Sequence, residues 1–394
     1  MSIARAILKE VQYKPIARLV VPHAQTTYKS SVQIRPIRSF GTSIHSYTQV
    51  PKSMKAILIK GGTGHAESLY LGQEPTPEPG PNQVQVKIKY FGLNRMDVLQ
   101  REGKYPLPPQ ASKTILGVEF SGVVTKLGKD ANKWKEGDEV FGLAYGGAYA
   151  EYIVSPEIML LSKPKQLSWV EAAGLPEVWM TATQALTLEA PLRKGQNVLI
   201  HAGASGVGIA AIQIALHVLG ADKVFTTCGS DEKVEFLREL GNHSSQLHVF
   251  NYKTQNFEEE IKKVTDGVDL IIDFIGTDYY FKNVNSLRLD GTLYSLAFLS
   301  GAKFPEGASM APLLGKRLTF KGSSLRSRSP EYQQNLLKTF EEKILPQILS
   351  GTMKIKVHDV LSWTRVTEAH KAMEGNKNSG KIVLEVTEEP QHSL

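Results

Sequence analysis

Between Val198 and Gly208 the chain reads Val-Leu-Ile-His-Ala-Gly203-Ala-Ser205-Gly206-Val207-Gly208, and no other stretch restricts the fold so tightly. An apolar run of strand length enters a glycine-rich turn, and an apolar helix pattern over 209–219 leaves it. Glycines there let the backbone approach a pyrophosphate, and the following helix N-terminus offers free N–H groups and a partial positive charge. Against the usual G-x-G-x-x-G spacing the middle glycine is Ser205, so the string counts only in its context of strand before and helix after.

That context is present. Short apolar runs at 197–202, 223–228, 247–252, 268–274, 291–296 and 319–322 alternate with helical periodicity, which predicts a doubly wound parallel sheet. The second strand of such a sheet ends where an NAD enzyme places an acid on the ribose hydroxyls. Here it ends Thr226-Thr-Cys-Gly229-Ser230, with Lys233 one turn on to pair a 2′-phosphate, so the expected cofactor is NADPH. Asp231 and Glu232 lie between and would repel that phosphate, so the reading depends on their facing outward. Tyr252, after the third strand, either covers the ribose or caps the core.

The part from Met54 to about residue 165 differs. Val84-Gln-Val-Lys-Ile-Lys-Tyr alternates with period two and follows the turn-rich Glu74-Pro-Thr-Pro-Glu-Pro-Gly-Pro; further strands are expected at 117–126, 139–143 and 149–154. This predicts a mostly antiparallel, partly open barrel. A last helix at 332–349 and a strand at 380–386 are expected to rejoin it, because neither buries an apolar face alone. The organisation is therefore leader 1–53, barrel 54–172, nucleotide domain 173–323, and a return to the barrel over 324–394.

The formal charge of +7 suggests nucleic acid or membrane, but residues 1–53 carry eight Lys/Arg against one acid. The other 341 residues balance at 38 against 38, which argues against a nucleic-acid partner. The leader is rich in Ser and Thr, ends Arg38-Ser-Phe-Gly-Thr-Ser, and reads as a mitochondrial presequence cut near 40–46. No apolar run reaches the roughly 20 residues that span a bilayer, so a matrix enzyme without a membrane span is expected. Cys228 is the single cysteine, and the barrel run up to residue 165 holds only His65, so no zinc ligand set is expected. His201 and Asp273 read as structural, and Arg326 with Arg328 as a solvated pair near the hinge.

Four runs carry a resemblance: Gly92-Leu-Asn94-Arg-Met-Asp97 continuing to Tyr105, Leu116-Gly-Val-Glu119-Phe-Ser-Gly122, Pro176-Glu-Val-Trp-Met-Thr181-Ala, and 201–208. With Leu325-Arg-Ser-Arg and Asn376-Lys-Asn378-Ser-Gly-Lys-Ile-Val they make the chain, from Met54 to Val386, resemble zinc-independent quinone oxidoreductases of the medium-chain dehydrogenase/reductase superfamily. The resemblance implies a GroES-like β-barrel domain around an inserted Rossmann domain, a homodimer, and hydride transfer from NADPH to a quinone-like small molecule. It also implies that Asn94 and Tyr105 flank the nicotinamide and acceptor and that Thr181 lies under the nicotinamide ribose. Ser230, Lys233, Tyr252 and Asn378 would hold the adenosine phosphate. Zinc-dependent relatives carry a cysteine where Asn94 stands and Gly-His-Glu where Gly117-Val-Glu119 stands. Two rivals share the fold: a mitochondrial 2-enoyl thioester reductase, and a non-catalytic NADPH-binding protein that contacts RNA.

Overall fold

The computed structural model describes residues 50–387, so the presequence expectation lies outside the described residues. Six parallel strands form one sheet in the spatial order Leu247–Asn251, Lys223–Cys228, Asn197–Ile200, Val268–Asp273, Leu287–Ser295 and Thr319–Gly322. Numbered along the chain this order is 3-2-1-4-5-6, and it reverses between the first and fourth strands, where such sheets open a crevice for a dinucleotide. Both faces are covered. Val198, Ile200, Leu270 and Ile272 pack into one core and Leu199 and Ile271 into another, which is why these strands are apolar throughout rather than alternating.

The second large sheet runs Val357–Ser362, Lys381–Glu385, Gln83–Leu93, Glu119–Leu127, Glu139–Leu143 and Leu160–Ser162, with Tyr152–Pro156 also on Gln83–Leu93. Register shifts between Gln85 and Val86 and between Ile88 and Tyr90 bend the long strand, so one edge carries Tyr152–Pro156 along its first half and Lys381–Glu385 along its second. The C-terminal strand is antiparallel to it, with Ile382 opposite Leu93. That pairing places Lys381 beside Asn94, the next residue of the long strand's path.

Several boundaries differ from expectation. The helix after the glycine turn is Gly206–His217, three residues earlier, because Ser205 caps it. The expected helix at 332–349 is two, Pro330–Lys343 and Leu345–Leu349: Pro346 has no N–H to continue the ladder. The strand Val357–Ser362 and the helix Val366–Glu374 were not anticipated, although Val366, Ala369, His370 and Met373 mark one buried helical face.

Candidate functional site

A cavity of about 620 Å³ opens at the switch point and is walled by both sheets' elements. On the nucleotide side it is lined by Ser205, Gly206, Val207, Lys233 and Tyr252, and on the other by Asn94, Arg95, Asn378 and Lys381. Gly203 and Gly208 lie behind this wall. A Cβ on Gly208 would stand 2.5 Å from the Ala202 carbonyl oxygen and 2.7 Å from the Cα of Gly203, so the two glycines permit the close turn. Ser205 has φ −74°, which asks for no glycine, and its Oγ accepts from the Gly208 N–H at 3.1 Å. The departure from the usual motif is thus a helix cap. The Gly206 and Val207 amides have no partner among the described residues and face the cavity, a ready anion site.

At the second strand's end Ser230 caps the helix Asp231–Leu240, accepting from the Lys233 N–H at 3.3 Å. Asp231 and Glu232 are exposed and outside the cavity lining, and Asp231 accepts from Asn251 Nδ2 at 2.7 Å. Neither acid next to Ser230 therefore lines the cavity, and the one acid that does, Asp278, comes from the segment after the fourth strand. Lys233 Nζ donates to the carbonyls of Asn376 and Asn378, at 2.8 and 3.2 Å. Tyr252, 47% exposed, stands over Gly229: a Cβ there would come within 2.7 Å of its hydroxyl. The loop carrying Asn376 and Asn378 is tied across the cleft, since Gly380 N–H donates to the Ala204 carbonyl at 3.0 Å and Arg95 donates to Asn376 Oδ1 at 2.5 Å.

Asn94 is fixed at both ends. Its Nδ2 donates to Glu119 Oε1 at 2.7 Å, and its Oδ1 accepts from Lys381 Nζ at 2.8 Å. The same ammonium reaches Glu119 Oε1 at 2.5 Å and the Leu93 carbonyl at 2.9 Å. Glu119 Oε2 accepts the backbone N–H of Glu177 at 2.8 Å, and a Cβ on Gly92 would fall 2.2 Å from Glu119 Oε1, so only glycine leaves room for this carboxylate. Behind Asn94, fully buried Asp97 accepts from the Asn94 N–H at 2.9 Å and the Gly117 N–H at 3.2 Å; burial pushes its carboxyl up to about 6.

Tyr105 and Thr181 are half-buried and lie outside the cavity lining. Thr181 is one helical turn beyond Glu177 on Pro176–Thr183. The Arg326 guanidinium carbon stands 5.6 Å from the Tyr105 ring centre. Burial, then the nearby Glu177, raises the Tyr105 phenol, while Arg326 lowers it. Glu177 itself is pushed to about 8, first by burial and then by Glu119.

The solvated-pair expectation fails for Arg326, which is 3% exposed and donates to the Tyr145 carbonyl and to Gln100 Oε1 at 2.8 Å. Arg328 is half-buried against Glu189 and Tyr332. The tail also brings a second histidine under the barrel: His370, fully buried between Arg101 and Tyr149 and held by burial down to about 3. His201 lies buried between Thr227 and Asn283, and Asp273 accepts from the Ile275 and Gly276 amides, both structural positions. The sequence reading passed over Lys381, Glu177 and Arg95. The signal for Lys381 was a lysine opening a strand whose next three residues, Ile-Val-Leu, are apolar.

A family model described as a zinc-binding dehydrogenase matches residues 206–342, and one described as an alcohol dehydrogenase GroES-like domain matches 80–165. The chain is 30% identical over 317 residues to a cattle quinone oxidoreductase-like protein 2, covering 79% of this chain and 88% of the relative. It is also 30% identical to a chloroplastic NADPH-dependent alkenal/one oxidoreductase of Arabidopsis thaliana, over 88% of this chain and 83% of the relative. A mycobacterial protein solved in complex with NADPH superposes with a TM-score of 0.73 at 27% identity, over 84% of this chain and all of that one. Among the described residues no group of three or more His, Cys, Asp or Glu could hold a metal ion, and no helix is long and apolar enough to cross a membrane.

Proposed function

Because the chain belongs to the quinone oxidoreductase-like branch of the medium-chain dehydrogenase/reductase superfamily, we propose that it reduces quinones or similar electrophilic carbonyl compounds with NADPH, without zinc. The observation that carries the reading is the acid-free end of the second strand, with Lys233 held by two neutral carbonyls at the cavity. A phosphate offers that ammonium a charged partner in their place. Gly206 and Val207 amides with the Ser205 hydroxyl proton would hold the pyrophosphate, and Ser230 and Tyr252 would flank the 2′-phosphate.

The cofactor, when bound, supplies the hydride. The protein's part is placement and charge. Asn94, clamped by Lys381 and Glu119, forms a rigid wall of the cleft. The resemblance supports Tyr105 as the donor to the oxygen on which negative charge develops, a phenol whose ring has the Arg326 guanidinium 5.6 Å from its centre. Zinc does not suit this donor set: at the position of the family's first cysteine ligand Asn94 holds a lysine ammonium, which would repel a dication. The alkenal/one oxidoreductase relative supports a second reading, reduction of an α,β-unsaturated carbonyl, in which the proton goes to carbon rather than oxygen. Family membership supports a homodimer, and the basic leader supports the mitochondrial matrix.

Oxidation of NADPH and of NADH by the metal-chelated protein is to be followed with ortho- and para-quinones and with enals. Turnover of quinones with NADPH well ahead of NADH is expected. NADPH binding with turnover of enals alone would replace the quinone reading, and binding without turnover on any acceptor would leave a binding protein.

A further inference from the structure

A second cavity, of about 320 Å³, shares a wall with the cofactor cavity. The wall is built from the two segments at the ends of the fourth and fifth parallel strands, 273–280 and 295–301. Phe274, Ile275, Tyr279, Ala297 and Leu299 line the cofactor cavity, while Gly276, Thr277, Tyr280, Phe298 and Gly301, interleaved with them, line the second. The segments are laced together: the Leu299 N–H donates to the Phe274 carbonyl at 3.0 Å, that of Ser300 to Ile275 at 2.9 Å and that of Thr277 to Gly301 at 3.1 Å. Gly276 has φ +90°, and a Cβ there would stand 2.4 Å from the Gly301 carbonyl oxygen, so only glycine lets the segments close to this distance. A buried bridge joins the cavities too. Thr227 lines the first and Asn283 the second, and His201 meets Thr227 Oγ1 at 3.0 Å and Asn283 Oδ1 at 2.7 Å.

The second cavity has aromatic walls, Phe298, Phe304 and Phe320, with the Tyr280 ring edge-on to Phe304 and Phe320 at 5.4 and 6.2 Å between centres. Phe298 and Phe304 are 54% and 72% exposed, aromatic surface that the fold itself leaves uncovered. Three charged residues line it, and two are satisfied internally: Asp273 accepts from the Ile275 and Gly276 amides, and Lys321 pairs with Glu189 at 2.7 Å. The Lys303 ammonium has no partner among the described residues. Nor has Nδ2 of Asn283, which is fully buried. We propose that this cavity is a second small-molecule site, for an aromatic compound of one or two rings with an acidic group at one end and an oxygen at the other, whose occupancy is felt at the cofactor. The volume is at the lower end of the range for such sites. The rings would pack among the three phenylalanines, the acid would meet Lys303, and the oxygen would give the Asn283 amide the acceptor it lacks. A ligand that holds Phe298 and Gly301 also holds Leu299 and Ser300 between them, which line the cofactor cavity, so each ligand tightens the other by the same factor. The proposal uses only the cofactor cavity and stands whether the acceptor is a quinone or an enal.

The probe is 6-hydroxy-2-naphthoate, titrated by calorimetry into the full chain saturated with NADP+, which keeps the probe out of the first cavity. One molecule per chain is expected to bind with a Kd below about 1 mM. Binding weakens about 10-fold in Lys303→Glu and in Phe304→Ala, and is lost in Ala302→Trp, whose indole fills the mouth. All three positions are exposed and outside the cofactor cavity, so NADP+ affinity of the variants without the probe stays within about two-fold of wild type. In wild type the probe tightens NADP+ binding about five-fold, and in A302W it does not. No binding by the wild-type complex, or binding equally strong in K303E and A302W, overturns the site. No binding together with a change of sedimentation coefficient in A302W overturns it as well, and gives the cavity to a second copy of the chain. NADP+ affinity that the probe leaves unmoved overturns the coupling. A chain that binds neither NADP+ nor NADPH overturns the cofactor reading itself.

Discussion

Replacing Lys381 with methionine removes the one cation from a buried cluster and keeps the length of the side chain. Lys381 is 4% exposed and Glu119 is fully buried. The ammonium makes three contacts, to Leu93 O, Asn94 Oδ1 and Glu119 Oε1. Its loss leaves Glu119 buried with only the Asn94 amide and the Glu177 N–H, and leaves two further oxygens short of a donor. Breaking a buried ion pair from one side costs about 3–5 kcal/mol. Urea denaturation at neutral pH, followed by tryptophan fluorescence, is expected to show a loss of that size. The double variant K381M/E119Q, which removes the stranded charge too, is expected to recover about half of the loss. A K381M protein within about 1 kcal/mol of wild type, or a double variant no better than the single, would falsify the assignment of Lys381 as the counter-charge of this cluster.

Three further outcomes follow from the same geometry. Gly208→Ala drives a Cβ to 2.5 Å from the Ala202 carbonyl oxygen and 2.7 Å from Gly203 Cα, both backbone, so the turn must open. NADPH affinity by fluorescence titration should fall about 10-fold or more, and unchanged affinity would mean that the turn does not shape the site. Lys233→Ala should raise the KM for NADPH about 10-fold while moving that for NADH less than two-fold, and an equal rise for both would remove Lys233 from phosphate recognition. Asp97, raised to about 6, and Glu177, raised to about 8, are acids whose neutral form folding favours. Their contribution is full below the unfolded carboxylate values of about 4 and is lost as pH rises through the folded ones. Stability by urea titration should therefore decline as pH rises from about 4 to about 8, level off above that, and decline less in E177Q. His370, held down to about 3, acts the other way: it costs stability as pH falls below about 6.5, and so offsets part of the carboxyl decline between about pH 4 and 6.5.

The strand, glycine turn and helix at 197–217 were legible because each signal is local: an apolar run, a cap, a 3.6-residue period. The acid-free strand end and Lys233 were legible for the same reason, being fixed by their distance from the turn. The condition on Asp231 was not, because it depends on Asn251, twenty residues away on the next strand. Local patterns also overreached, in reading one helix through Pro346 and a solvated Arg326 in a segment that tertiary packing buries.

The sequence by itself determined that this chain builds a doubly wound nucleotide sheet beside an antiparallel barrel, since hydrophobic period and turn chemistry are properties of neighbours along the chain. Only the tertiary structure decided what stands around Asn94. Lys381 meets Asn94 across 287 residues through the register that sets Ile382 opposite Leu93. Glu177 lies behind Glu119 because a helix N-terminus docks on a distant strand. A one-residue slip in that strand pairing would turn Lys381 to the other face, and no local pattern encodes such a register.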